Sequence, residues 1–333
     1  MTTAPIELLL ERALAFRADR FDDRHETAFR LFNGFTEGRA DLVVDLYGKT
    51  LLIHNYADRP EQGLPAVLAA REWLPARLPW IQAVIVKTRN SSLPEEKRGQ
   101  LVSGDRADRK VREDGVWYAI DLMLNRDASL YLDTRGVRQW ARSHLQDKSV
   151  LNTFAYTGSL GVAAQAGGAA RVVQLDLNRH FLNVAKTSYL LNGFPIEKRD
   201  FLTGDFWPQI GRLKTAQARF DCVFIDPPLY SATRKGVVNL TERYAPLINK
   251  VRPLINHDGY LVAINNALFV SGAAFIRELE SLCADGYLAV EELIAVPSEF
   301  IGDPQAPDAA PVTDPAPFNH ATKIAVLRVR RKA

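Results

Sequence analysis

From about residue 126 to its end, the chain repeats short apolar runs of strand length: Ser149–Asn152, Val172–Leu175, Asp221–Ile225, Gly259–Ile264, Val290–Val296 and Lys323–Val329. Helical stretches separate the earlier ones. A chain that alternates in this way covers both faces of its strands by crossing back over them, so it predicts an open, doubly wound, parallel α/β sheet. The last two runs break the rhythm. Between them lies the Pro/Asp/Ala-rich segment Gly302–Pro317, without clear helical period. These two strands are therefore expected to pair as a C-terminal antiparallel hairpin joined by a long loop.

Residues 1–125 read differently, as a small α+β domain ahead of a second domain spanning 126–333. Ile6, Leu9, Leu10, Ala13 and Phe16 fall at helical spacing. Leu42–Val44 and Leu51–Ile53 flank the turn Tyr47-Gly48-Lys49 and predict a β-hairpin. Residues 62–78 look helical, and Ala83–Val86 and Val116–Leu122 look like strands. Residues 87–112 hold eight Lys/Arg against four Asp/Glu and show no apolar period. They read as a solvated loop or hairpin, or as a rim that contacts phosphates.

Composition limits the alternatives. With 333 residues, 47% of them hydrophobic, the chain can bury a core in one large domain or two smaller ones. A net charge of +3 excludes a histone-like polybasic protein and leaves room for a local basic patch. Two cysteines, Cys222 and Cys283, build neither a disulfide framework nor a cysteine-rich zinc site; no metal is expected, and a reducing cytoplasm suits them. No apolar run reaches the roughly 18 residues of a membrane span. The opening MTTAPIELLLERALAFRADRF carries acids early and no cleavable apolar core, so no signal peptide is expected.

Two motifs carry chemistry. In residues 150–176 a strand enters a turn holding Tyr156-Thr157-Gly158, then an Ala/Gly-rich helix, then a strand ending at Asp176. Ligands of parallel sheets bind at such carboxyl ends. Gly158 permits close backbone approach, the helix N-terminus offers free N–H groups, and Asp176 can accept both hydroxyls of a ribose. The dinucleotide pattern G-x-G-x-x-G is absent; only Gly158 and Gly161 stand here. A cofactor with a ribose and no phosphates fits better, and S-adenosylmethionine is the candidate; the bland alternative is a tight turn beside an unrelated acid. In residues 220–236 a strand delivers Asp226-Pro227-Pro228-Leu229-Tyr230. The prolines stiffen the turn, so carboxylate and carbonyls can accept from the amino group of a base while the aromatic stacks on it. The alternative is a strand merely stopped by proline.

On these motifs, residues 126–333 resemble a class I S-adenosylmethionine-dependent methyltransferase. From about residue 6 the chain resembles the ribosomal-RNA large-subunit methyltransferases that modify cytosine-5 or guanine-N7. The resemblance rests on Tyr131-Leu132-Asp133-Thr134-Arg135, Asn152 to Gly158, Asp176, Leu191-Asn192-Gly193 and Asp226-Pro227-Pro228. Phe29-Arg30-Leu31 through Asp45-Leu46-Tyr47-Gly48 is similar to the small domain that precedes the catalytic one there. The resemblance implies a Rossmann-like, seven-stranded sheet and a division of roles. Arg135 would hold the methionine carboxylate; Phe154, Tyr156, Thr157 and Gly158 would wrap methionine and ribose; Asp176 would bind the ribose. Asp205 would face the adenine amino group, unless it is an ordinary loop acid, and Asp226, Pro227, Pro228 and Tyr230 would line the target base.

Two departures matter. The cytosine-5 enzymes place a cysteine nucleophile after the strand that follows Asp226-Pro227-Pro228; here Asn265-Asn266 stand in its place. Cys222 and Cys283 read as core residues, so covalent attack on a pyrimidine lacks its nucleophile. The asparagine pair, with Ser231 and Arg234-Lys235, resembles the guanine-N7 branch, and a nitrogen can attack the sulfonium in line. The second departure is that the additional RNA-binding domain of the cytosine-5 relatives is replaced by one helix. RNA recognition then falls to the small domain and residues 87–112. Phe318–Lys323 can approach the base, and His320 can titrate near neutrality or be a plain loop-end residue.

The expectation is methyl transfer to a nucleobase nitrogen of structured, ribosomal RNA. Two alternatives stay open: a small-molecule or protein substrate, and a non-catalytic RNA-binding protein that retains the fold. The missing glycine triplet disfavours a dehydrogenase.

Overall fold

A computed structural model describes residues 4–233, 235–239, 244–303 and 314–331. The chain divides into two compact units. The first runs to Leu132 and takes in 297–303 of the later described residues; Asp133–Val296 and the remainder form the second.

The first unit is built on five strands. Helix α1 (Ile6–Phe16) leads to β1 (Ala28–Asn33), β2 (Leu42–Tyr47) and β3 (Thr50–Asn55). Helix α2 (Pro60–Arg77) crosses to β4 (Ala83–Thr88), and α3 (Pro94–Arg98) precedes β5 (Gln100–Ser103). The strands lie in chain order, antiparallel except for the β3–β4 pair. That parallel pair requires a crossover, which α2 supplies. Alternation sends Phe29, Leu31, Val44, Leu46, Leu51 and Ile53 into one core with Leu10, Ala13, Ala66, Ala70 and Leu74 of the helices. Between them, the same strands carry charge. Arg30 Nε donates to Asp45 at 2.8 Å, His54 Nε2 lies 3.4 Å from Asp45, and Lys87 Nζ donates to the carbonyls of Asn125 and Asp127. Strands β6 (Lys110–Glu113) and β7 (Val116–Ala119) form a separate ribbon.

Residues 87–112 are therefore not one solvated loop. They contain the end of β4, α3, β5 and most of β6. Their strands are short, and Val111 is the one apolar residue among them that is fully buried, so no apolar period could build up. Lys87, counted there as a surface charge, is buried.

In the second unit α4 (Arg135–His144) precedes β8 (Ser149–Thr153), α5 (Ser159–Ala166), β9 (Arg171–Asp176), α6 (Arg179–Leu191), β10 (Phe201–Thr203), α7 (Phe206–Thr215) and β11 (Phe220–Ile225). A hairpin of β12 (Tyr230–Thr233) and β13 (Gly236–Asn239) follows. Then come α8 (Ala245–Val251), β14 (Ile255–Asn265), α9 (Gly272–Cys283), β15 (Leu288–Leu293) and β16 (Lys323–Val329). The sheet has seven strands in the order β10-β9-β8-β11-β14-β16-β15. The first five run parallel, and β16 is antiparallel to both neighbours, so the expected Rossmann-like sheet and its closing hairpin are present. The chain moves outward from β8 to β10, then returns to β11 on the other side of β8. Strand order reverses between β8 and β11, and a ligand crevice opens at the carboxyl ends of such a pair.

Buried Tyr244 ties that end together. Its hydroxyl lies 3.0 Å from the carbonyls of both Ile225 and Ile264, at the last turns of β11 and β14. Tyr244→Phe is expected to lower unfolding free energy by about 1 kcal/mol, read as a lower urea midpoint at constant slope. An unchanged midpoint would show that the tie contributes nothing.

Candidate active site

The turn after β8 adopts backbone that its residues disfavour. Phe154 (φ 53°), Tyr156 (φ 51°) and Gly158 (φ 77°) are all left-handed, and for the two bulky aromatics this is a strained choice. The surroundings impose it. The Tyr156 N–H donates to Asp176 Oδ2 at 2.8 Å, and the Asn178 N–H donates to Oδ1 of the same carboxylate at 2.7 Å. Asn152 Nδ2 donates to Gln174 Oε1 (2.8 Å), and Gln174 Nε2 donates to the Gly158 carbonyl (3.2 Å). Both glycines are required by packing as well. A Cβ on Gly158 would lie 2.6 Å from Ala185 Cβ, and one on Gly161 only 2.1 Å from Gln174 Nε2. The first turn of α5 has no side-chain cap. Asp176 has its pKa raised, chiefly by burial, with the two backbone N–H groups pulling the other way.

The neighbouring strands end in a second cluster. Asp226, just past β11, has its carboxyl pushed up to about 7, first by burial and then by the charge of Asp133. Asp133 itself accepts the Thr322 hydroxyl at 2.9 Å. Leu229 and Tyr230 project outward, Tyr230 at 63% exposure. Asn265, the last residue of β14, accepts the Ala267 N–H on Oδ1 (2.9 Å), while its buried Nδ2 has no hydrogen-bond partner among the described residues. Its register partner on β16 is Lys323, a buried lysine that donates Nζ to the carbonyls of Ala267 (2.8 Å) and Ala321. Burial lowers the Lys323 pKa to about 8.

The turn 154–158, Asp176 and Asp226–Tyr230 thus stand at the carboxyl ends of β8, β9 and β11, which are neighbours in the sheet. Arg135 begins α4 and is buried. The Phe154 ring stacks on Phe206 with centroids 4.7 Å apart, within the core. Asp205 caps α7 through the Trp207 N–H (2.9 Å) and also accepts the Thr233 hydroxyl, leaving each oxygen one further lone pair. In the 318–323 segment, Phe318 is buried, Asn319 brackets the Val296 backbone, and His320 Nδ1 accepts the Thr322 N–H. Ser231 lies on β12 and Lys235 in the turn that follows; Arg234 lies outside the described residues. Sequence reasoning missed Gln174, and it took in Lys323 only as the end of the 318–323 segment, without its burial. A glutamine amid the apolar run of β9 was a visible signal for the first; nothing local marked the second.

The donor set suits S-adenosylmethionine. It offers a carboxylate at the strand end, an uncapped helix N-terminus and a glycine-tight turn, and it lacks a pyrophosphate-binding glycine triplet. The family model for S-adenosylmethionine-dependent methyltransferases matches residues 42–312. The chain belongs to this family, and S-adenosylmethionine is its cofactor. YwbD of Bacillus subtilis (strain 168), which carries the provisional name of a ribosomal RNA large subunit methyltransferase, is 28% identical over 87% of this chain and 73% of its own length. Ribosomal RNA large subunit methyltransferase K/L of Colwellia psychrerythraea is 30% identical over 72% of this chain, but this chain covers only 34% of that longer protein. The crystal structure of SMU.776 complexed with SAH shares the fold at TM-score 0.84 and 21% identity, over 97% of this chain and 81% of that one.

Asp176→Ala is expected to weaken S-adenosylmethionine binding by about tenfold or more, because a charge-assisted pair of hydrogen bonds is lost. Calorimetry giving equal affinity would remove Asp176 from the site. Asp226 yields a second test. Its folded pKa lies above the ordinary carboxyl value, so folding favours the protonated form, and its ionisation costs more stability as pH rises toward 7. Asp226→Asn should therefore stabilise the protein more at pH 8 than at pH 5 in denaturant titrations. Equal effects at both would refute the shift.

Proposed function

We propose that the protein methylates a nucleobase nitrogen of ribosomal RNA, in the cytoplasm, without a covalent enzyme–base intermediate. One observation carries the nitrogen reading. Neither cysteine is fit to attack: Cys222 is fully buried inside β11 with its thiol pushed well up by burial, and burial also raises the Cys283 thiol on α9. The end of β14 presents Asn265 instead.

In this reading Arg135 holds the methionine carboxylate, the 154–158 turn wraps methionine and ribose, Asp176 binds the ribose hydroxyls, and Asp205 uses its spare lone pairs toward adenine. The cofactor supplies an electrophilic methyl on a sulfonium. Asp226 and the backbone of Pro227 and Pro228 orient the acceptor base, and Tyr230 stacks on it. A nitrogen lone pair aimed in line needs no activation beyond placement.

The names of the relatives support ribosomal RNA as substrate. So does a basic, aromatic ribbon in the first unit: Arg109 and Lys110 are exposed, and the Lys110 ammonium lies 4.2 Å from the centroid of the Trp117 ring, with Arg112 at 5.5 Å. No helix among the described residues is long and apolar enough to cross a membrane.

Nucleoside mass spectrometry of ribosomal RNA from cells with and without the gene should show one methylated base missing. Activity should survive Cys222→Ala and Cys283→Ala; complete loss in a folded variant would restore a thiol mechanism. Charge reversal at Arg98, Arg109 and Lys110 should weaken RNA binding and flatten its salt dependence, and an unchanged slope would exclude this surface.

A further inference from the structure

Two buried side chains serve one short loop. Asn265 Oδ1 accepts the Ala267 N–H at 2.9 Å, and Lys323 Nζ donates to the Ala267 carbonyl at 2.8 Å. The Val270 N–H returns to that same carbonyl at 3.2 Å and closes a turn. Ser271 then caps α9 by accepting the Ala274 N–H at 3.1 Å. Both ends of residues 267–270 are therefore fixed, and Ala267 is fully buried. At the tip stand Leu268, 47% exposed, and Phe269, 81% exposed, the most exposed large apolar side chain among the described residues.

Scattered apolar residues on a surface need no explanation. Phe269 differs in its mounting and its place. It sits on a loop held by a buried ammonium and a buried amide. That loop leaves β14, the parallel hydrogen-bonded neighbour of β11, in a register that pairs Ile225 with Ala263. The loops after the two strands emerge at the same edge of the sheet. One carries Asp226 to Tyr230, with Leu229 and Tyr230 exposed; the other carries Phe269.

We propose that Phe269 contacts the substrate by stacking on an unpaired nucleobase that flanks the accepting one. This inference rests on the ribosomal RNA reading above. Extruding a base for chemistry strips its neighbours of a stacking partner. A rigidly presented phenyl ring replaces that partner, and it does so without sequence preference because every base has a π face. Tyr230 then takes the accepting base and Phe269 the adjacent one.

The test uses the full-length protein, labelled S-adenosylmethionine and deproteinised large-subunit RNA from cells lacking the gene. Phe269→Ala should raise KM for RNA by about tenfold or more, with a smaller change in kcat and no change in S-adenosylmethionine affinity. Phe269→Tyr should stay within about twofold of the wild type, and Phe269→Leu should behave like the alanine variant, because aromatic stacking and not apolar bulk is at stake. Leucine performing as well as phenylalanine would overturn the proposal in favour of an apolar contact such as a protein partner. Phe269→Ala with unaltered KM would overturn it alone and leave the substrate reading intact. Wild-type protein that methylates no ribosomal RNA would overturn both.

Discussion

A single carboxylate holds the crevice in shape. Asp176, at the end of β9, receives the N–H of Tyr156 on one oxygen and that of Asn178 on the other. The first bond reaches across to the turn after β8, where two aromatic residues and a glycine sit at positive φ. Without that acceptor, the strained turn would have a buried donor to satisfy and a conformational cost to bear. The same group is the one a ribose would meet. Each carboxylate oxygen accepts one backbone N–H and keeps a further lone pair, so under the proposed role a ribose would meet a group whose loop is already set. Preorganisation of this kind spares binding energy that would otherwise go into ordering the loop.

The remaining strand ends are stiffened by other means. Tyr244 spans the last carbonyls of β11 and β14, and Lys323 and Asn265 grip Ala267 from opposite sides. These are buried polar groups, costly unless paired, and nearly all of them are paired. The Asn265 amide is the exception, with a buried Nδ2 that finds no partner among the described residues. Asp226 faces the opposite problem: burial and the nearby Asp133 resist its charge, which places its titration close to physiological pH. Both groups lie at the carboxyl ends of adjacent strands, the kind of clustering that marks a candidate site.

Legibility in the sequence followed element length and the range of the forces involved. The alternating runs of the second unit were readable because the central strands β8, β11 and β14 are apolar on both faces and helices join the parallel strands. Strand β10 escaped because three residues carry no period, and the β12–β13 hairpin because its strands, YSAT and GVVN, are only four residues long and mix polar with apolar positions. The Asp176 and Asp226 positions were legible because turns and strand ends leave a local signature. Lys323 was not. A lysine opening the strand KIAVLRV reads as solvated, and only the carbonyl of Ala267, far away in sequence, explains its burial. Asp205 shows the converse: the motif singled it out, while the structure adds a helix cap and a threonine partner that no spacing could indicate.

The absence of a usable thiol constrains the chemistry more tightly than any residue that is present. Methylating a pyrimidine carbon requires a nucleophile to make that carbon electron-rich; Cys222 is buried inside β11, Cys283 lies on α9, and burial pushes both thiols up. A nitrogen carries its own lone pair. What remains for the protein is to exclude rotation, hold the acceptor in line and keep water away, and each of these is a matter of rigid placement. The polar groups around the crevice are spent largely on the backbone of their own loops, which is consistent with the proposed demand for placement. It also makes Asp226 informative. Protonated, its carboxyl can donate a hydrogen bond; ionised, it accepts. A carboxyl poised near neutrality can serve as either hydrogen-bond partner, which is the property the proposed base-orienting role would draw on.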